Sequence, residues 1–318
     1  MSEPSRAVMS VLSAGPFCHV AARTRRGPHL TPMVFAVSGG SVWVTTSRGS
    51  VKARAWRDDP VVAGLVADGG EAVSFSGSAL EYDALDPGSW GRCLSNAPAL
   101  SAATARFWRK NARFFAGYAV DARHVPLAWT PPGRVFVEIR LERASLIRRA
   151  DIVERWGDER PVDAPRSRSS FRAIRTVDAF EALPSRVARE LGGDGVGALA
   201  LEADGGPRVL PVHWRADDGA IHASLPAAAL ALAGAPDRGP AALGIDRPSW
   251  WRARRMLGCM VQGSADAFAL AAVTTGRRSL CAAIERTGGA PDSDALVRVR
   301  PERIVWWEGW TRGSSRVA

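Results

Sequence analysis

The chain contains its own copy. Pro4-Ser5-Arg6 recurs as Pro184-Ser185-Arg186, 180 residues later, and Gly15 falls on Gly195 at the same offset. Gly27-Pro28-His29-Leu30-Thr31-Pro32 meets Gly206-Pro207-Arg208-Val209-Leu210-Pro211 at an offset of 179, which also carries Gly40 onto Gly219. Asp59-Pro60 meets Gly239-Pro240, and Gly77-Ser78-Ala79 meets Gly263-Ser264-Ala265 with the offset grown to 186. Both copies close on an alternating strand with a Glu-Arg pair, Val137 to Arg143 and Val297 to Arg303, where the offset has shrunk to 160. Each match is short, but their colinear order constrains the fold, because a duplicated unit sets domain number and architecture together. The first unit covers about residues 1–147 and the second 178–318, each near the usual domain size. The shrinking offset assigns the first copy an insertion, residues 86–125. Residues 148–177, rich in Arg, Asp, Pro and Ser, have the composition of a linker.

Within each copy a short helix comes first, with Pro4 or Pro184 at its start and Gly15 or Gly192-Gly193 at its end. Phe17 to Ala22, Thr31 to Val37, Ser41 to Thr46, Val61 to Val66 and Ala72 to Leu80 read as strands, and Ser38-Gly39-Gly40 as a hairpin turn. A brief helix over Val51 to Arg57 ends at Asp58-Asp59-Pro60. Six short antiparallel strands with few helices fit a closed or partly open barrel, since closure removes exposed edges. The insertion is helical by pattern. Its stripe of Phe107, Trp108, Phe114 and Phe115 is either core packing or a lid over a neighbouring site.

Composition narrows the function classes. Arg and Lys exceed Asp and Glu by 10, but only Lys52 and Lys110 are lysines, and the arginines are scattered beside acids, which argues against a nucleic-acid partner. No run approaches the length of a membrane span, and the richest, Ala227 to Ala235, lies between Pro226 and Pro236. Four distant cysteines and the absence of a secretory signal predict a reduced, cytoplasmic, soluble protein. His19, His29, His124, His213 and His222 show no zinc spacing, so no metal site is expected, although one axial His would suffice for haem.

Chemistry concentrates in Thr45-Thr46-Ser47-Arg48-Gly49-Ser50-Val51-Lys52-Ala53-Arg54-Ala55-Trp56. A strand ends in hydroxyls, a glycine turn follows, and a helix opens with a cation. Backbone N–H groups, hydroxyls and an ammonium are what a phosphate monoester dianion needs. A solvated loop with a surface lysine is the plain alternative. In the second copy Ser224 to Leu232 replaces hydroxyls and cation with Ala and Leu, and no phosphate is expected there.

The run Thr45-Thr46, Ser50-x-Lys52-x-Arg54-x-Trp56-x-x-Asp59-Pro60, preceded by Gly27-Pro28 and Pro32-Met33-Val34-Phe35, resembles the pyridoxamine 5'-phosphate oxidase-like family of FMN-binding split barrels. The resemblance covers roughly Phe17 to Leu80 and, more faintly, the second copy. It implies a mainly β fold of two tandem split barrels with short helices, packed as an internal pseudo-dimer. It also implies a flavin ring along His29, Pro32, Met33 and Val34, and a flavin phosphate near Thr45, Thr46, Ser50 and Lys52. Val51 stands where the oxidase proper has an Arg, for which Arg48 or Arg54 would compensate. In a pseudo-dimer the far wall comes from the second copy, with Trp250, Trp251 and Arg254 as candidates; an edge packed on the other barrel is the alternative for that segment. The implied activity is a flavin-dependent oxidoreductase with FMN, or a deazaflavin, acting on a small molecule. The other possibility is a non-catalytic barrel that binds flavin or haem, or has lost its cofactor. Because the cofactor performs hydride transfer, no catalytic side chain is named.

Overall fold

A computed structural model describes residues 3–120, 125, 133–148, 151–157, 179–217, 219–234, 236–249, 253–269 and 295–317. Helix α1 (Arg6–Ala14) opens the chain, capped by Ser5, whose hydroxyl accepts from the Val8 N–H at 3.2 Å. Strands β1 (Cys18–Thr24), β2 (Gly27–Met33), β3 (Phe35–Ser38) and β4 (Ser41–Ser47) follow, then α2 (Val51–Asp58), β5 (Val61–Asp68) and β6 (Glu71–Tyr82). The insertion forms α3 (Pro87–Ser95), α4 (Ala97–Lys110) and α5 (Ala112–Val120), after which β7 (Arg134–Arg148) and β8 (Asp151–Trp156) complete the first sheet. The sheet therefore runs past residue 147 into the stretch whose composition reads as linker.

The second half repeats the series without the inserted helices among its described residues: α6 (Ser185–Leu191), β9 (Asp194–Ala203), β10 (Gly206–Asp217), β11 (Ala220–Leu225), α7 (Ala227–Ala233), β12 (Arg238–Arg247), β13 (Leu257–Ala269), β14 (Ala295–Glu308) and β15 (Thr311–Arg316). Its order is β11-β10-β9-β12-β13-β14-β15, and a β11–β14 ladder closes the first six strands into a barrel. The first sheet has the order β2-β1-β5-β6-β7-β4-β3. Its two ends, β2 and β3, are successive runs of one extended segment interrupted at Val34, so the same circuit is traced with a break where β10 is continuous. The Gly27–Thr24 hairpin also makes β2 a strand from its first residue, earlier than the sequence pattern suggests.

The duplication is visible in a structural irregularity. The β6–β7 ladder shifts register between Ser76 and Gly77, and the β13–β14 ladder shifts between Gln262 and Gly263, the same place in the repeat. A Cβ on Gly77 would lie 1.9 Å from the Arg140 carbonyl oxygen, and one on Gly263 would lie 1.8 Å from that of Arg300. Glycine is kept in both copies because the bulged strand's backbone passes through the space of a side chain. Each barrel has its own core, built around Val20, Phe35, Phe75 and Val137 in the first and Leu199, Leu210, Trp214 and Val297 in the second.

A third core joins them: Ala21, Leu30, Ala63 and Leu65 pack against Ala198, Ala200, Val209, Ala242 and Met260. Its polar contacts are reciprocal. Ser74 Oγ of β6 donates to the Val209 carbonyl of β10 at 2.7 Å, and at the equivalent place the Leu30 N–H of β2 points at Met260 Sδ of β13, 3.0 Å away. Such exchange of equivalent positions is the signature of a two-fold interface, here internal to one chain.

Candidate functional site

Helix α2 plugs one end of the first barrel through Ala53 and Trp56, and this positions the loop before it. Ser50 caps α2 by accepting from the Ala53 N–H at 3.1 Å, and its hydroxyl lies 2.9 Å from that of Thr46. The same buried helix face carries Lys52, whose Nζ donates to the Thr31 hydroxyl of β2. Burial, and secondly the charge of Arg134, push the Lys52 ammonium down to about 7. Thr31 and His29 alternate on one face of β2. Burial, then the charges of Lys52 and of Arg303 from the second barrel, hold His29 down to about 3, so its imidazole is neutral near pH 7.

Arg134, opposite Ser47 across the β4–β7 ladder, donates to the Thr45 hydroxyl at 2.9 and 2.6 Å and to the Thr45 carbonyl at 2.7 Å. Thr45 and Thr46 therefore serve opposite faces of β4, as strand alternation requires. Thr46 belongs with Ser50, and Thr45 with Arg134. Nearby carboxylates are committed elsewhere: Asp83 to Arg48 at 2.6 Å, and Glu81 to Arg57 at 2.7 Å. Among the described residues, neither Lys52 nor Arg303 forms an ion pair with a carboxylate. Lys52 has three N–H donors and gives one to Thr31. The donor set of hydroxyls, ammonium and guanidinium groups thus fits a multiply charged anion, whose arrival would relieve both cation repulsion and the desolvation of Lys52.

Not every expected residue joins this cluster. Arg54 lies on the exposed side of α2 and donates to the Gly49 carbonyl at 2.7 Å. Met33 is turned into the core of the first barrel, because it shares the inward face of β2 with Thr31 and His29. Pro32 pairs with His19, whose Nε2 lies 2.6 Å from Asp246 of the second barrel, and Val34 packs with Phe17, Met256 and Trp310. Both halves thus meet along the strand from His29 to Val34. Trp250 and Trp251 lie outside the described residues, and Arg254 is exposed on a single 3₁₀ turn beside Gly309. The aromatic stripe of the insertion is divided: Phe107 and Phe114 are buried, while Trp108 is half exposed.

Three cluster members were not expected. Thr31 sits between the quoted Pro28 and Pro32, two residues from His29, and the period of a strand was the signal that pairs them. Arg134 and Arg303 arrive through strand pairing and barrel packing, for which no local signal exists. In the second copy Leu210, Leu225 and the exposed Ala228 stand at the positions of Thr31, Thr46 and Lys52, and Leu225, Leu230 and Leu232 are buried. Arg208, the counterpart of His29, donates to Ser76 Oγ across the interface.

Residues 4–82 match the family model described as pyridoxamine 5'-phosphate oxidase. The first barrel is a pyridoxamine 5'-phosphate oxidase-like split barrel, and its duplicate has the same strand circuit. No curated protein matches the chain. Among solved structures, a conserved hypothetical protein from Mycobacterium tuberculosis is 24% identical, covering 46% of this chain and 90% of its own, with a TM-score of 0.33. General Stress Protein 26 from Bacillus anthracis is 16% identical over 44% of this chain and 90% of its own, with a TM-score of 0.31. A FAD-binding protein from Mesorhizobium loti is 20% identical over 45% of this chain and 93% of its own, also with a TM-score of 0.31. Across the described residues of the split-barrel pair, no helix is long and apolar enough to cross a membrane.

Proposed function

We propose that the first barrel binds a phosphate-bearing flavin, FMN or a deazaflavin, and that the chain is a flavin-dependent oxidoreductase acting on a small molecule. The observation that carries this is buried Lys52, two residues after the Ser50 cap and its Thr46 partner, which donates to the Thr31 hydroxyl, with the charge of Arg134 acting on Lys52 and that of Arg303 on His29. Bound there, a flavin would supply hydride transfer at its ring. Lys52 would hold the phosphate by a charge-assisted hydrogen bond, with Ser50 and the α2 N-terminus adding neutral donors. Neutral His29 contributes a ring nitrogen without adding charge. Arg303 makes the site a joint product of the two barrels, and the strand from His29 to Val34 supplies the wall along which both halves meet.

Titration of the apo-protein with FMN and with a deazaflavin tests this proposal. Lys52→Ala is expected to remove about 1.5–3 kcal/mol, weakening flavin affinity roughly tenfold to a hundredfold. Phosphate favours the charged ammonium, so binding raises the pKa of Lys52 above 7 and takes up a proton. Affinity should therefore fall as pH rises through 7 and beyond, and Lys52→Ala should flatten that fall. Absence of saturable binding by either flavin overturns the proposal.

A further inference from the structure

The insertion that interrupts the first repeat has an unusual charge balance. From Pro87 to Val120 it contains no Asp or Glu, and it carries Arg92, Arg106, Arg109, Lys110 and Arg113. Arg106, Arg109 and Arg113 are exposed and form no ion pair with a carboxylate among the described residues. Apolar exposure gathers in the same place. Four of the eight exposed large apolar side chains among the described residues, Trp90, Leu94, Trp108 and Val120, belong to the insertion, and a fifth, Leu85, stands just before it.

Apart from Trp108, whose ring lies 4.2 Å from that of Phe115, these side chains are not members of the buried core clusters. The insertion already has an inward face: Ala103 and Phe107 of α4 and Phe114 of α5 are buried, and Cys93 and Leu100 pack near Trp43 and Tyr82. Asn111 fixes α4 to β3 by donating to the Phe35 carbonyl at 3.1 Å. Trp90 and Leu94, four residues apart, share the outer face of α3 and are 54% and 77% exposed. The Trp90 indole N–H is satisfied by the Ala84 carbonyl at 3.0 Å, so the ring stays outside with no donor to place. Exposed Arg106 and Arg109, three residues apart, share a face of α4, and Trp108 beside Arg109 is 48% exposed.

We propose that the helical insertion docks the protein on an anionic lipid surface. Trp90 and Leu94 enter the headgroup boundary, and Arg106, Arg109 and Arg113 meet lipid phosphates. Tryptophan and aliphatic side chains on a cationic, acid-free helical element are the combination that an interfacial site requires. A second copy of this chain fits worse, because a two-fold contact would press one cationic face on its duplicate. Nucleic acid would use the arginines and a stacked indole but offers nothing to Leu85, Leu94 or Val120. At 9, 14 and 9 residues the helices lie on a bilayer and do not span it.

Co-sedimentation of the full chain with phosphatidylcholine vesicles, and with vesicles half phosphatidylglycerol, tests the proposal. Partitioning should be at least about tenfold stronger on the anionic vesicles and should weaken with salt. The pair Trp90→Ser with Leu94→Ser, and separately the set Arg106→Gln, Arg109→Gln and Arg113→Gln, should each lower it by about tenfold or more. Brominated lipid should quench tryptophan fluorescence of the unaltered protein, a readout that holds even where a variant folds poorly. No binding to anionic vesicles, or no quenching, overturns the proposal. So does binding that survives Trp90→Ser with Leu94→Ser and is competed away by duplex DNA.

Discussion

The loop from β4 into α2 and the loop from β11 into α7 enter the same end of equivalent barrels with different contents. In the first, Ser50 caps the helix through its side chain and the inward face carries Lys52 beside Trp56. In the second, Pro226 stands at the cap, Gly234 ends the helix in the left-handed region, and Ala229, Leu230, Leu232 and Ala233 are buried. The second barrel shows what this place looks like when only packing is required of it. The first buries an ammonium, Lys52, at the second helical position, where the second has only the exposed methyl of Ala228. A group held against its own solvation preference, in one copy and not in the other, is why the proposed flavin site is assigned to the first copy.

If the two barrels share a scaffold and differ at that loop, damage to the scaffold must be symmetrical. Gly77→Ala and Gly263→Ala are expected to have the largest effects, each destabilising by about 3 kcal/mol or more, because the added Cβ meets a backbone carbonyl that no side-chain rotation can move. Denaturant unfolding of the two variants would measure it. A large loss at one glycine and none at the other would break the equivalence of the bulges.

Damage at the loop must be asymmetrical. Lys52→Met should stabilise the flavin-free protein by about 1–4 kcal/mol while impairing flavin binding, since an apolar chain replaces a buried cation. The pH dependence identifies the cause. Lys52 has its folded-state pKa lowered to about 7 from 10.5, so between these values the unfolded chain holds more protons and stability rises with pH. The slope from one such proton is at most about 1.4 kcal/mol per pH unit. Lys110, pushed down to about 8 by burial, contributes with the same sign, so the difference between wild type and Lys52→Met isolates Lys52. Thermal melts from pH 6 to 10 give both quantities. A Lys52→Met protein less stable than wild type at pH 7 would show that the ammonium has structural work to do.

The split between what the sequence discloses and what it hides follows the same line. The glycines and prolines that define the repeat are legible because backbone geometry fixes them residue by residue: the positive φ of Gly39 and Gly40 at the β3–β4 turn, and the bulges at Gly77 and Gly263. Ser50 and Lys52 are legible because cap and helix face are local. Arg134 is not, since its place beside Thr45 depends on the β4–β7 register. Arg303 is not, since it reaches His29 only through the packing of one barrel on another. Arg54 and Met33 lie within the motif but apart from the cluster: Arg54 is on the exposed side of α2, and Met33, on the same face of β2 as Thr31 and His29, is spent in the barrel core.

The smallest expected effect lies at the pseudo-two-fold itself and bears on how the pair came to be asymmetric. Arg23 and Glu202 occupy equivalent positions of the repeat, 179 residues apart, and they meet: Arg23 Nε donates to Glu202 Oε1 at 2.7 Å, while Arg23 also lies 3.3 Å from Asp59. In a dimer of identical barrels, this position would face its own duplicate, placing Arg against Arg or Glu against Glu. Only two copies free to diverge can put opposite charges there. Both groups are partly exposed, so the coupling in a double-mutant cycle of Arg23→Ala and Glu202→Ala should be about 0.2–1 kcal/mol and should shrink with salt. Arg23→Glu alone, which restores the like-charge arrangement of an identical pair, should cost more than Arg23→Ala, and adding Glu202→Arg should recover most of the loss. If the swapped pair remains as poor as Arg23→Glu, the contact is incidental, and the axis was adapted through the apolar core around Leu30 and Val209 instead.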